Sequence, residues 1–269
     1  MTLNAPIGVI DSGVGGLTVA KEIMKLLPNE KICYIGDNAR CPYGPRPLAE
    51  VRRYTWQMAE ALVKMNVKML VIACNTATAA ALNSLQKKLS IPVIGVIFPG
   101  ARAAIKSSST KKIAVLGTAG TVKSGAYEKA IKSLVSSSEV IQLACPRFVP
   151  LVESDEYEGE FARRIVKETL SIIKSKEFDT AILGCTHYPL LQGFIEQELG
   201  KTVTVLSSAQ ETAKDVSRHL SYSDKFAERK KPPVHQFYTS GSTEIFRTII
   251  RKWLAIEEPS IRSIQFAKT

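Results

Sequence analysis

Histidines, paired cysteines and long apolar runs are scarce in this chain, and each scarcity removes a class of function. Three histidines in 269 residues, at positions 187, 219 and 235, and the lack of any Cys-x-x-Cys pair leave little from which to build a zinc site, so no metal is expected. Five cysteines (Cys33, Cys41, Cys74, Cys145 and Cys185) are an odd number in a chain long enough to bury a sizeable core. Reduced thiols are expected rather than a disulfide scaffold. No apolar run approaches the ~18 residues that span a bilayer. The opening "MTLNAPIGVIDSG" has no basic region or cleavage site and runs straight into a strand, which predicts a cytoplasmic protein without a leader. Acidic residues are also short, 25 against 36 Lys and Arg, for a net charge of +11. The basic residues are spread through helical stretches, with small clusters at 87–88, 111–112 and 229–231, and no nucleic-acid module is recognisable. A solvated basic surface that mildly attracts anionic substrates accounts for them.

What the chain does have is a regular alternation. Short apolar runs rich in β-branched residues predict strands at 7–11, 32–35, 69–73, 92–96, 113–117, 140–143, 180–184 and 203–206, with later ones near 236–239 and 262–266. Helical patterns fall between them, among others at 17–27, 48–63, 77–89, 161–173 and 244–254. Continuous apolar strands separated by helices predict an α/β fold with parallel sheets covered on both faces. The order also repeats. Ile7 and Ile113 stand 106 residues apart, Cys74 and Cys185 111, and Val93 and Val203 110. Two similar, pseudo-symmetric halves are expected, each with a cysteine after the corresponding strand. The polar stretch 221–233, ending in a double proline, reads as a surface excursion.

In open parallel sheets ligands bind beyond the carboxyl ends of the strands. Asp11 and Ser12 stand there in "VIDSGVGGL", which lacks the third glycine of a dinucleotide loop but is able to cradle a small anion on backbone amides. The loop "CPYGPRP" offers Tyr43 and Gly44, although a plain turn explains that stretch as well. "GTAGTV" supplies Thr118 and Thr121, with Thr118 in the position of Ser12 by the same offset. Free cysteine is commonly an inert core residue; Cys33, within a strand, fits that reading, and Cys41 and Cys145, in proline-containing turns, are open to either reading with the inert one favoured. Cys74 and Cys185 do not. Each ends a buried strand, is followed by a polar residue and leads toward a helix, whose N-terminus is expected to lower the thiol pKa. His187 is placed to carry a proton for Cys185, and Asp11 for Cys74. Inverting a carbon centre needs a proton removed from one face and another delivered to the opposite face, which two opposed thiols supply. No lysine stands in a recognisable pyridoxal phosphate context, and a cofactor-free reaction is expected.

"IGVIDSGVGGLTV", "CPYGPRP", "VIACNTATA", "ACPRFVPLVES" and "ILGCTHYPLL", in this order, resemble the bacterial glutamate racemases, up to about residue 215. The resemblance implies two α/β domains, 1–97 with 207–269 and 98–206, with the active site at their interface and homodimers as the common assembly. It implies cofactor-independent interconversion of L- and D-glutamate for peptidoglycan synthesis. It assigns Cys74 and Cys185 as the two bases and Asp11, Glu153 and His187 as proton carriers. Ser12, Tyr43, Gly44, Asn75, Thr76, Thr118, Thr121 and Thr186 would hold the substrate. Glu153 rests on the resemblance alone, because "VESDEYEGE" reads by itself as a solvated acidic loop. An aspartate or hydantoin racemase of the same architecture, and a two-domain binding protein without turnover, remain alternatives. A nucleic-acid or protein partner for the basic surface is not required and is compatible with either.

Overall fold

The computed structural model describes residues 2–229 and 231–267; Met1 of the opening stretch and Lys230 of the basic cluster at 229–231 lie outside them. The chain folds as two wholly parallel sheets. The first contains β1 (Ile7–Asp11), β2 (Ile32–Gly36), β3 (Met69–Ile72) and β4 (Val93–Gly95), and is extended by β9 (Gln236–Thr239) and β10 (Ser260–Ser263) in the order β10-β9-β2-β1-β3-β4. The second contains β5 (Lys112–Gly117), β6 (Glu139–Ala144), β7 (Thr180–Gly184) and β8 (Thr204–Ser207) in the order β6-β5-β7-β8. Adding four to each strand number of the run β2-β1-β3-β4 gives the second sheet, so the two sheets share one winding.

Both sheets are covered on both faces, and so their central strands are buried at nearly every position instead of every other one, with polar residues only at the strand ends. On the first sheet, α1 (Leu17–Leu26), α10 (Ser208–Tyr222) and α11 (Thr243–Leu254) bury one face, while α2 (Leu48–Lys64) and α3 (Asn75–Lys88) bury the other. On the second, α7 (Phe148–Glu153), α8 (Gly159–Leu170) and α9 (Gln192–Leu199) oppose α4 (Ile97–Ser107) and α6 (Ala126–Leu134). A short α5 (Ala119–Ser124) follows β5, and α10 packs against α4 where the two layers meet. Among the described residues no helix is long and apolar enough to cross a membrane.

Several sequence expectations need correction. Val93 corresponds to Val205 and not Val203, since Leu70 of β3 pairs with Val93 while Ala181 of β7 pairs with Val205. The last strand ends at Ser263, because Ile264 and Phe266 leave the sheet edge to pack on the core beside α2. The helix expected at 161–173 closes at Leu170 and gives way to a 3-10 turn over Ser171–Ile173. The acidic stretch expected as a loop begins inside α7, which carries Glu153 as its last residue. The excursion at 221–233 is anchored: Lys68 and Glu30, both buried, pair at 2.6 Å, Lys68 donates to the Lys225 carbonyl, and Glu30 accepts from the Ala227 amide.

Candidate active site

The two thiols lie at equivalent strand ends. Cys74 follows β3 and caps α3, its Sγ accepting the Ala77 N–H at 3.4 Å; Cys185 follows β7. They are 6% and 7% exposed, so the site is closed yet in contact with solvent. Their surroundings differ. No α-helix starts at Cys185, where the chain makes a turn and a 3-10 segment over Tyr188–Leu191, so the expected helix N-terminus is present only at Cys74. Even there it does not lower the pKa. Burial and the neighbouring Asp11 charge push the Cys74 thiol up to about 12 against the Ala77 amide and the Ser12 hydroxyl, and the charge of Cys185 adds to the rise. Each thiol therefore lies within electrostatic reach of the other.

On the Cys185 side a relay runs outward. His187 Nδ1 lies 3.8 Å from Cys185 Sγ, and its Nε2 is 2.5 Å from Glu153 Oε1. Burial acts to lower the imidazolium pKa, but the bonds to Cys185 and Glu153 and their charges outweigh it and hold His187 up to about 10. The Cys41 thiol, kept protonated by burial and by the nearby Glu153 charge, donates to the same Glu153 oxygen at 3.8 Å. Asp11 faces the other thiol from the end of β1. Its Oδ1 accepts the Gly13 N–H at 3.0 Å and its Oδ2 the Thr186 hydroxyl at 3.3 Å. A side chain at Gly15 would place a Cβ 2.4 Å from Thr186 Oγ1, so the loop after β1 approaches Thr186 and His187 only because that position is glycine.

The remaining expected residues line the seam between the sheets. Thr76, Thr118 and Thr121 form a triangle of hydroxyls, with Thr76 Oγ1 2.8 Å from Thr118 and 3.2 Å from Thr121. The Gly44 carbonyl accepts the Gly120 N–H at 2.8 Å. Tyr43 is buried and spends its hydroxyl on Asp37, which also binds Arg40 and Ser240, so the phenol anchors its own loop. Asn75 leaves Nδ2 without a partner while its Oδ1 accepts the Tyr127 hydroxyl at 2.7 Å. The sequence reading did not find Asp37 or Tyr127. Asp37 had a local signal, an acid directly after a buried strand as at Asp11; Tyr127 had none. Cys33 and Cys145 are buried core thiols bonded to Met65 and the Leu143 carbonyl. Among the described residues no cluster of three or more His, Cys, Asp or Glu is arranged to hold a metal ion.

The sequence model of the Asp/Glu/Hydantoin racemase family matches residues 7–216, which includes every residue named in the relay and the seam apart from Ser240. The chain belongs to that family. Within it the chain is similar to the glutamate racemase of Lysinibacillus sphaericus, at 62% identity over 94% of this chain and 95% of that one. Among solved structures it resembles the glutamate racemase isoform RacE1 from Bacillus anthracis, with 49% identity, a TM-score of 0.94 and 97% of each chain covered. It also resembles the glutamate racemase from Francisella tularensis in complex with D-glutamate, with 33% identity, a TM-score of 0.91 and 98% of each chain covered. The racemase fold is thus shared along nearly the whole chain, including the C-terminal strands beyond the matched segment.

Proposed function

We propose that this protein interconverts L- and D-glutamate, supplying the D-enantiomer for peptidoglycan, with Cys74 and Cys185 as the two bases. The observation that supports the mechanism is the pair of buried thiols at the ends of the equivalent strands β3 and β7. In one direction the thiolate of one cysteine takes the α-hydrogen as a proton, and the electron pair of the broken C–H bond is left on the α-carbon and its carboxylate. The thiol of the other cysteine then protonates the opposite face. In the reverse direction the roles exchange. The chemistry calls on no cofactor.

Burial and the Asp11 charge keep the Cys74 thiol protonated, and each thiol has a proton carrier beside it. Asp11 serves Cys74, and His187, backed by Glu153, serves Cys185. The substrate ammonium brings a positive charge that favours a thiolate and acidifies the α-carbon. Ser12, Asn75, Thr76, Thr118, Thr121, Thr186 and the main chain at Tyr43 and Gly44 present neutral donors to the carboxylates, which leaves that ammonium charge unquenched. Closure of the two lobes, which we place at 1–97 with 207–269 and at 98–206, keeps water from the carbanion-like transition state. A homodimer in the cytoplasm, with no need for nucleic acid, completes the reading.

The test is a deuterium wash-in at the α-carbon in D₂O, run beside optical rotation on L-glutamate, L-aspartate and a hydantoin. Cys74→Ser and Cys185→Ser should each abolish net racemisation of glutamate, while either retains exchange on a single enantiomer. Full racemisation by either variant would refute the two-base mechanism. Faster turnover of aspartate or hydantoin would reassign the substrate.

A further inference from the structure

We propose that Tyr127 is a specificity-determining positioning residue: it holds the Asn75 amide with its NH₂ group toward the substrate, so that this corner of the site accepts a carboxylate and rejects an amide. The inference rests on the glutamate reading and deepens it. Tyr127 stands in the first turn of α6 and is fully buried. Its ring packs against Gly184, the residue before Cys185, and against Gly100 of α4. From there its hydroxyl crosses the seam to Asn75 Oδ1 at 2.7 Å, beside Cys74. One side chain thus touches the strand end of one thiol and the neighbour of the other.

A carboxamide is nearly symmetric in shape, so an unanchored Asn75 would present its oxygen or its nitrogen equally well. The phenol breaks that symmetry. Burial pushes the Tyr127 pKa up, so it remains a protonated donor. The phenolic hydrogen is left for an acceptor, which on Asn75 is Oδ1. Asn75 is 2% exposed and its Nδ2 has no partner among the described residues, a buried donor that an acceptor on the ligand would satisfy. A carboxylate oxygen fits. The NH₂ of an amide ligand would oppose the Asn75 NH₂ and leave two buried donors unpaired.

Tyr127→Phe keeps the buried ring and removes the hydroxyl. The measurement is KM and kcat for glutamate in both directions, together with inhibition constants for the two mono-amides, glutamine and isoglutamine, in wild type and variant. The expected result is a roughly ten-fold rise in KM with kcat changed less than about three-fold. The ratio of inhibition constant to KM should fall roughly ten-fold for the amide whose altered group faces Asn75. Both constants come from one preparation, so any loss of folded protein leaves the ratio unchanged. In an Asn75→Ala background Tyr127→Phe should shift KM less than about two-fold, as expected of a residue that acts through Asn75. An unchanged ratio for both amides, inhibition by neither amide in either protein, or an equal KM penalty in the Asn75→Ala background would each overturn the assignment of Tyr127. A wild-type protein inert toward glutamate would instead overturn the substrate reading itself.

Discussion

Burial of Asp11 at the end of β1 raises its carboxyl to about 6, against the His187 charge and the Gly13 and Gly16 amides that favour the ionised form. An aspartate in the unfolded chain titrates near 3.8, so between about 3.8 and 6 the folded protein binds the proton more tightly and stability falls as pH rises. Above about 6 the full penalty is present, on the order of 3 kcal/mol. Asp11→Asn preserves the shape, keeps an acceptor for the Gly13 amide and removes the charge. It should raise the unfolding free energy by about 2 kcal/mol at pH 8 and by almost nothing at pH 3.5, with racemisation lost, as denaturant titrations at the two pH values would show. An equal gain at both pH values would mean that the carboxyl is not held above its ordinary range. The burial of Asp11 thus costs the fold stability at neutral pH.

At the scale of elements, the buried pair of Lys68 and Glu30 fixes the stretch after α10 that its composition alone would leave loose. Lys68 also donates to the Leu3 carbonyl, so the pair ties the amino-terminal segment, the start of β3 and the excursion together. Glu30→Gln would leave the ammonium without its counter-charge and should lower stability by about 3 kcal/mol, whereas the double change with Lys68→Met should be milder than the single one. Urea unfolding of the three proteins decides this. The strands were legible to within a few residues, because a strand buried on both faces must be a largely apolar run and its polar end then marks the ligand side. Three things were not legible. Burial overrides the capping position of Cys74, and its depth is invisible in "IACNTA". No α-helix starts directly at Cys185 although its sequence resembles the Cys74 stretch. Tyr127 meets Asn75 across 52 residues, a contact that leaves no periodicity in either segment.

At the scale of the whole molecule, two sheets of one winding meet through the packing of α10 on α4 and through hydroxyls and main chain at the seam, and that seam is close-fitting. A Cβ on Gly120 would come 2.8 Å from the Gly44 carbonyl oxygen, and that neighbour is backbone. Gly120→Ala should therefore displace the Tyr43–Gly44 loop from α5 and raise the KM for glutamate roughly ten-fold or more, with a thermal midpoint close to that of the wild type, since α5 gains a better helix former. Steady-state kinetics beside a melting curve separate the two effects, and a large drop in midpoint with unchanged KM would contradict them. The unequal surroundings of the two thiols, a helix cap and Asp11 on one side and an imidazole relay on the other, carry a kinetic obligation. Mirror-image molecules in an achiral solvent have equal free energies, so their equilibrium constant is one. The quotient kcat/KM must then be the same for both enantiomers, however differently the two halves handle a proton. Any asymmetry between the halves is free to show itself in kcat or in KM, but only in amounts that cancel. A substitution on one side alone, such as at His187, must slow both directions by the same factor at low substrate.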